Sequence, residues 1–97
     1  MTATAEQISE QIETADWEAI KPHVLRDAVV IVDKTISLVD AGMKVVHDDV
    51  ETVTEWLQNN KLSKPSKEQF ERWEAHPSIS FRFVILQPYV LIQEQAH

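Results

Sequence analysis

The chain has 97 residues, enough for one domain with a modest hydrophobic core. Its 16 acidic residues outnumber the 9 Lys and Arg residues, and the resulting net charge of −7 would repel nucleic-acid phosphates and anionic lipid headgroups. The lack of cysteine excludes disulfides, thiolate catalysis and cysteine-ligated zinc. We therefore expect one domain over residues 1–97, with residues 1–4 disordered, and a partner that is neither nucleic acid nor a membrane.

The sequence contains no recognisable membrane span or secretory signal. Its longest uncharged apolar run is about ten residues, whereas about 20 are needed to cross a bilayer. The first residues, MTATAEQISEQ, lack the basic and apolar regions of a signal peptide. These features predict a cytoplasmic protein.

Two helices are predicted at the start of the chain. Thr4 and Gln7 have the spacing of a capping box, which predicts a short helix over residues 5–13. Asp16 is placed to cap a second helix, which Pro22 delays or bends. The inner face of the second helix would carry Trp17, Ile20, Val24 and Leu25.

The middle of the chain changes from a strand pattern to a helix pattern. Residues 28–32 are apolar and rich in β-branched side chains, which predicts a short buried strand. Residues 36–59 have the spacing of an amphipathic helix, although Gly42 weakens it. The apolar positions are Val39, Met43, Val46, Val50, Val53 and Leu57. Two alternatives stay open: Asp48-Asp49-Val50-Glu51 could cap a second helix, and residues 36–46 could form a strand.

The helix is predicted to end at Asn59-Asn60, and residues 61–65 read as a linker. Ser66 and Gln69 repeat the capping-box spacing and open another short helix. This helix would direct Phe70 and Trp73 inward.

The most apolar stretch, FRFVILQPYVLIQE, occupies residues 81–94. We expect residues 82–86 to pair with residues 28–32, and the chain to bend at Gln87-Pro88 because proline has no N–H for a sheet ladder. Residues 89–93 would then form an apolar edge that invites pairing with another chain. The predicted fold class is α+β, with a small, mostly antiparallel sheet of two or three strands packed against four or so helices.

Several segments together carry a resemblance to a known family. They are Asp16-Trp17, residues 25–32, Leu38-Val39-Asp40, the block HDDVETVTEWLQNNKLSKPSKEQ and the closing ILQPYVLIQ. Over roughly residues 16–93 the chain resembles a family of small bacterial proteins classified only as a domain of unknown function. Asn59-Asn60 stands where Gly is expected, and Tyr89 where Trp is expected. The resemblance implies a bacterial cytoplasmic protein and transfers no catalytic residue.

Polar clusters that could carry chemistry each have a commoner structural role. His47 and Glu51, four residues apart beside two aspartates, could begin a metal site but supply only two ligands. Asp16, Asp27 and Asp33 border apolar segments and could act as acid or base, although caps and turns are their usual roles. The six serines lack a nucleophile-elbow context because Gly42 is the sole glycine. They are Ser9, Ser37, Ser63, Ser66, Ser78 and Ser80.

A basic stretch surrounds two aromatic residues, Phe70 and Trp73. Its members are Lys61, Lys64, Lys67 and Arg72. Such a patch could contact RNA, but the net charge of −7 favours docking to an acidic surface, such as residues 48–55 of a second copy. We expect Trp17, Trp56 and Trp73 to line the core.

The sequence thus assigns no catalytic, cofactor-binding or metal residue and implies no cofactor. The leading hypothesis is a non-enzymatic protein–protein interaction module whose partner is another protein or a second copy. It would dock through the edge at residues 89–93 and the adjacent apolar helix surface. The alternative is a small enzyme or ligand-binding protein with a pocket between sheet and helices.

Overall fold

The computed structural model describes residues 4–95, which form five helices and a five-stranded sheet. The helices are α1 (Ala5–Gln11), α2 (Trp17–Leu25), α3 (Leu38–Val46), α4 (Val50–Gln58) and α5 (Lys67–Ala75). The strands are β1 (Glu13–Asp16), β2 (Val29–Val32), β3 (Leu62–Ser63), β4 (Ser80–Leu86) and β5 (Tyr89–Glu94). The α+β class is therefore confirmed, with more strands than the two or three predicted.

The strands lie in the order β1-β4-β5-β2-β3, and the sheet is mixed. β4 and β5 form an antiparallel hairpin about Gln87-Pro88, with Phe83 opposite Ile92. β5 then runs parallel to β2, with Val29 opposite Val90. The predicted pairing of residues 82–86 with 28–32 is wrong, because β5 lies between β4 and β2.

The position of β5 also corrects the predicted apolar edge. Residues 89–93 belong to the central strand of the sheet, where both neighbours satisfy the backbone and the side chains Val90, Leu91 and Ile92 are buried. The outer strands are β1, which carries Glu13 and Asp16, and β3, which has two residues. Charged and very short edge strands resist pairing with another chain.

Helices cover both faces of the sheet, so the core has two parts. On one face α1, α3 and α4 pack over a cluster whose buried residues are Ile8, Val32, Leu38, Ala41, Leu62, Val84 and Leu91. On the other face α2 and α5 pack over a cluster whose buried residues are Trp17, Ile20, Val29, Trp73, Phe81, Val90 and Ile92. Strands buried on both faces explain why the last apolar stretch has no polar alternation.

Polar caps set the helix boundaries. Thr4 and Ser66 form the two predicted capping boxes, and the Asp16 carboxylate accepts from the Ala19 N–H at 3.2 Å. The predicted first helix over residues 5–13 is too long, because α1 ends at Gln11 and β1 follows. Of residues 1–4, which were predicted to be disordered, Thr4 is the N-cap of α1, and residues 1–3 lie outside the described residues.

The long helix predicted over residues 36–59 is two helices, as the capping alternative had it. Asp49 caps α4, with its carboxylate accepting from the Thr52 N–H at 3.2 Å. The strand alternative for residues 36–46 is wrong, since α3 spans most of that segment. Gly42 lets α3 approach α1 and β4: a Cβ there would lie 3.0 Å from Ile8 Cγ2 and 3.3 Å from Leu86 Cδ1.

Two smaller predictions also differ from the structure. The predicted linker over residues 61–65 contains β3, and Leu25, expected on the inner face of α2, is 68% exposed at the last residue of that helix. Among residues 4–95, none of the helices has the length and apolar character needed to cross a bilayer.

Candidate functional site

Helix α4 is amphipathic, but its apolar side is incompletely covered. Of its apolar side chains, Val53 and Trp56 pack half-buried against the core, whereas Val50 is 63% exposed and Leu57 is 51% exposed. None of the residues of α4 is fully buried. Because apolar side chains spaced three and four residues apart normally face a core, this stripe is left without a complete partner.

The exposed stripe borders a groove with a volume of about 380 Å³, which we call the α4 groove. Its floor comes from the sheet and its walls come from α3, α4 and the ends of β3 and β5. The lining residues are Val30, Lys44, Val45, Asp48, Asp49, Val50, Val53, Thr54, Leu57, Leu62, Lys64, Tyr89 and Leu91. A neighbouring hollow of about 330 Å³ shares Val45 and Tyr89 with it and continues the apolar surface toward Val46.

Tyr89 reaches the groove because of its place in β5. It lies two residues before the buried Leu91, so both side chains point to the sheet face that α3 and α4 cover. As the first residue of its strand, Tyr89 lies at the end of the sheet and is 44% exposed. The Tyr89 ring is apolar and its hydroxyl is polar, so the side chain can pack against apolar groups of a partner while the hydroxyl stays in water.

Two ion pairs lie along the rim of the groove. At the start of α4, Lys44 Nζ lies 3.3 Å from Asp49 Oδ2. The Thr52 N–H, followed by the Lys44 ammonium, lowers the pKa of Asp49 below its ordinary value of 3.8. On the β3 side of the groove, Lys64 Nζ lies 3.2 Å from Asp27 Oδ1 and 3.1 Å from the Asp27 carbonyl oxygen. These ion pairs lie at the rim and do not fill the groove.

A second, more polar cleft lies across the carboxyl ends of the parallel strands β2 and β5, with a volume of about 380 Å³. Its lining residues are Ile31, Val32, Asp33, Lys34, Gln69, Arg72, Trp73, Ile92, Gln93, Glu94 and Gln95. Most of the polar side chains already bind other parts of the chain. Glu94 accepts from Arg72 and, at 2.6 Å, from Trp73 Nε1, while Gln93 Nε2 donates to the Asp33 carbonyl oxygen at 3.0 Å.

The suggested metal pair does not share one helix. His47 is the C-cap of α3 and Glu51 lies in the first turn of α4, so the four-residue helical spacing assumed from the sequence is interrupted. Across residues 4–95, His, Asp and Glu side chains do not gather in threes as a metal site requires.

The three aspartates considered as acids or bases occupy caps, turns and ion pairs. Asp16 caps α2, and Asp27 has a positive φ of 58° and pairs with Lys64. Asp33 accepts from the Thr35 hydroxyl at 2.6 Å, a bond that lowers the pKa of Asp33 below 3.8. A general acid at neutral pH needs the opposite shift.

Three of the serines considered as nucleophiles make hydrogen bonds that hold the fold together. Ser37 and Ser66 cap α3 and α5, and the Ser80 hydroxyl donates to Gln95 Oε1 at 2.7 Å. Ser63 belongs to β3, whereas Ser9 lies on the exposed side of α1.

The basic stretch and its aromatics do not form one surface. Trp73 is fully buried and its indole N–H is bonded to Glu94, so its ring cannot stack on a nucleic-acid base. Lys61, Lys64 and Arg72 pair with acidic side chains of distant segments. Trp17 is also buried, whereas Trp56 is only half-buried.

Sequence reasoning placed the α4 stripe correctly but missed the groove around it. Val50 and Leu57 were recognisable from their spacing, but Leu62 was assigned to a linker and Tyr89 to a sheet edge. The signal that could have found Leu62 was its isolation as an apolar side chain between polar residues of a short extended segment.

Comparison with known proteins adds a family and a structural relative. The family described as "Protein of unknown function (DUF2288)" matches residues 3–94. The NMR solution structure of PA1075 from Pseudomonas aeruginosa has 28% sequence identity and a TM-score of 0.80, and the match covers 100% of this chain and 90% of that one. Among curated proteins, none matches the sequence significantly. The match over residues 3–94 agrees with the resemblance found in the sequence, and the chain belongs to the DUF2288 family of proteins of unknown function.

Proposed function

We propose that this protein is a non-enzymatic protein–protein interaction module and that the α4 groove is its docking surface. The observation that carries the proposal is the exposure of Val50 and Leu57 on an otherwise regular amphipathic helix. Tyr89 extends the same apolar surface across the end of the sheet. Contiguous exposed apolar surface rimmed by charged groups is typical of association sites.

The partner is expected to be a protein, either another chain or a second copy. A net charge of −7 opposes nucleic acid and anionic membranes, and the burial of Trp73 removes the aromatic platform from the basic stretch. The cytoplasmic location implied by the family resemblance is part of the same proposal. The docking surface differs from the one expected from sequence, because residues 89–93 contribute Tyr89 rather than a free strand edge.

Two exposed leucines give a matched test. Leu57 is 51% exposed in the last turn of α4, and Leu25 is 68% exposed at the end of α2 on the other side of the sheet. We expect Leu57→Glu to weaken association about tenfold or more, because it puts a charge into the apolar contact. Leu25→Glu should leave association unchanged.

Association is measured with the purified chain by light scattering. To find a different protein partner, a photocrosslinking residue is placed at position 54 in cells, and the crosslinked proteins are identified by mass spectrometry. Each identified protein is then purified and its binding to the chain is titrated. Circular dichroism checks that both variants fold. The proposal fails if neither assay detects association, or if Leu25→Glu and Leu57→Glu have equal effects.

The polar cleft supports a second candidate, a ligand-binding protein or small enzyme. It lies at the carboxyl ends of parallel strands, where open α/β sheets commonly bind ligands, and Lys34 and Arg72 could meet an anion there. NMR titration with inorganic phosphate and with acetate tests it. Saturable shifts of the Lys34 and Arg72 amides would favour this candidate, and unmoved spectra would remove anion binding.

A further inference from the structure

We infer that the polar cleft at the carboxyl ends of β2 and β5 binds a small monocarboxylate whose apolar body packs against Ile31. The inference rests on the second candidate function, ligand binding, and names its ligand class; it is independent of docking at the α4 groove. With a volume of about 380 Å³, the cleft lies at the lower end of the range for small-molecule sites. A ligand with only a few carbon atoms beyond its charged group therefore fits it.

The first support is the charge that remains after the ion pairs of the cleft are counted. The Glu94 carboxylate is paired with Arg72, and Asp33 Oδ1 lies 4.0 Å from Lys61 Nζ. Among residues 4–95, Lys34 forms a salt bridge with none of the carboxylates. Its exposed ammonium therefore adds one uncompensated positive charge to the lining.

The second support is a pair of side-chain amides that also line the cleft. Gln69 Oε1 accepts from the Ser66 N–H at 2.9 Å, and Gln95 Oε1 accepts from the Ser80 hydroxyl at 2.7 Å. Each of these bonds uses the oxygen of the amide and leaves the two N–H groups of its nitrogen for a further acceptor. The cleft therefore offers donors to a ligand that accepts hydrogen bonds.

These groups favour a carboxylate over a phosphate. A single surplus charge on Lys34 matches a monoanion, whereas a phosphate group carries more than one negative charge at pH 7 and would be repelled by Asp33 and Glu94. A carboxylate has two oxygens, which together accept several hydrogen bonds, and its bonds to an ammonium are about twice as strong as neutral ones. The chain charge of −7 opposes any anion, but this repulsion is screened beyond about 10 Å at 0.1 M salt.

The floor of the cleft is apolar, which selects among carboxylates. Ile31 lies opposite Ile92 in the parallel pair of strands and packs against the core cluster that contains Ile92 and Trp73. Ile92 and Trp73 are fully buried, whereas Ile31 is only half-buried and lines the cleft. A ligand with an apolar body covers the exposed part of Ile31 and gains the free energy of burying it. Acetate lacks such a body.

An NMR titration of the ¹⁵N-labelled chain with sodium benzoate tests the inference. The side-chain NH₂ signals of Gln69 and Gln95 report directly on the predicted donors, and the backbone amides of Ile31 and Lys34 report on the rest of the lining. We expect saturable shifts of these signals with a dissociation constant on the order of 1 mM. The amide of Leu57, in the α4 groove, should not move.

Three further titrations separate the parts of the ligand. Acetate should bind about tenfold more weakly than benzoate, because it has no apolar body. Benzamide, which has the same ring without the charge, should bind about fivefold more weakly or less tightly still. Inorganic phosphate should also bind more weakly than benzoate.

Lys34→Gln and Lys67→Gln form a matched pair of variants. Lys67 is exposed at the start of α5 and lies outside the cleft lining, so both substitutions remove one positive charge from the surface. Lys34→Gln should raise the dissociation constant for benzoate about fivefold or more, and Lys67→Gln should leave it unchanged. Circular dichroism checks that both variants fold.

Benzamide that binds as tightly as benzoate, or equal effects of the two lysine variants, would overturn the inference. Phosphate that binds more tightly than benzoate and shifts the Lys34 amide would overturn the carboxylate as ligand and leave the anion site of the second candidate standing. Spectra unmoved by benzoate, acetate and phosphate would remove both. None of these results bears on docking at the α4 groove, which the Leu57→Glu variant tests separately.

Discussion

Two buried tryptophans have indole N–H groups that are bonded to carboxylates at the surface. Trp17 Nε1 donates to Glu74 Oε1 at 2.7 Å, and Trp73 Nε1 donates to Glu94 Oε1 at 2.6 Å. A buried indole needs such an acceptor, because an unpaired polar group in the core is costly. The large aromatic side chains therefore fill the α2–α5 side of the core without leaving a polar atom unsatisfied.

The ionisation of Glu74 makes the stability of this part of the fold depend on pH. Its hydrogen bond with the Lys21 ammonium, followed by that with the Trp17 indole, lowers its pKa below the ordinary value of 4.5. A carboxyl group whose pKa is lower in the folded chain adds stability above its ordinary pKa, and this stability is lost as the pH falls through the lowered value.

We therefore expect Glu74→Gln to melt below the wild type at neutral pH, with a gap that closes as the pH falls below 4.5. Thermal melts by circular dichroism from neutral to acidic pH measure the gap. Glu71→Gln, in the same helix, should produce a smaller gap because, within residues 4–95, Glu71 lacks bonds like those that Glu74 makes with Lys21 and Trp17. A Glu74→Gln gap that stays constant with pH would contradict the assignment.

At the scale of the elements, local polar signals predicted where helices begin. The capping positions Thr4, Asp16 and Ser66 could be recognised because a cap needs only a few neighbouring residues. The break between α3 and α4 could be predicted as an alternative for the same reason, since the cap of α4 is the local signal Asp49. β1 and β3 were missed because strands of four and two residues carry little periodicity of their own.

The capping box at Ser66 leads to a direct prediction. Its hydroxyl accepts from the Gln69 N–H at 3.1 Å, so Ser66→Ala should lower the free energy of unfolding by about 1 kcal/mol. For a domain of this size that corresponds to a fall in melting temperature of about 4–8 °C. Ser66→Thr should retain most of the stability, since its hydroxyl can make the same bond.

Ser78→Ala serves as the control for this measurement, since Ser78 lies exposed in the turn before β4. It should change the melting temperature by less than the Ser66→Ala variant does. Equal losses from both substitutions would mean that the cap of α5 contributes nothing particular to stability.

At the scale of the whole molecule, the sheet order could not be deduced from these signals. The apolar runs at residues 28–32 and 81–94 correctly indicated buried strands, because strands with helices on both faces lack polar alternation. Which strands pair, and in which direction, depends on contacts between β2 and β5, separated by the whole segment that contains α3 to β4. The α4 groove depends on that order, and so only its helical wall was predictable.

Unequal burial across the molecule predicts unequal local stability. β5 is central and carries three consecutive fully buried side chains, whereas none of the residues of α4 is fully buried. Segments with few buried apolar contacts open without unfolding the rest of the domain. In native-state hydrogen exchange, we expect the amides of α4 to exchange well before those of β5 in dilute protein.

The same experiment reports on docking, because a partner that binds only the closed helix stabilises it by mass action. Raising the concentration of the partner, whether a second copy or another protein, should slow exchange in α4, and α5 on the opposite face serves as the internal control with unchanged rates. Leu57→Glu should remove the concentration dependence without altering β5. If α4 amides at low concentration exchange as slowly as those of β5, then the helix is already fully supported by its own chain, and the exposed stripe of Val50 and Leu57 has no need of a partner.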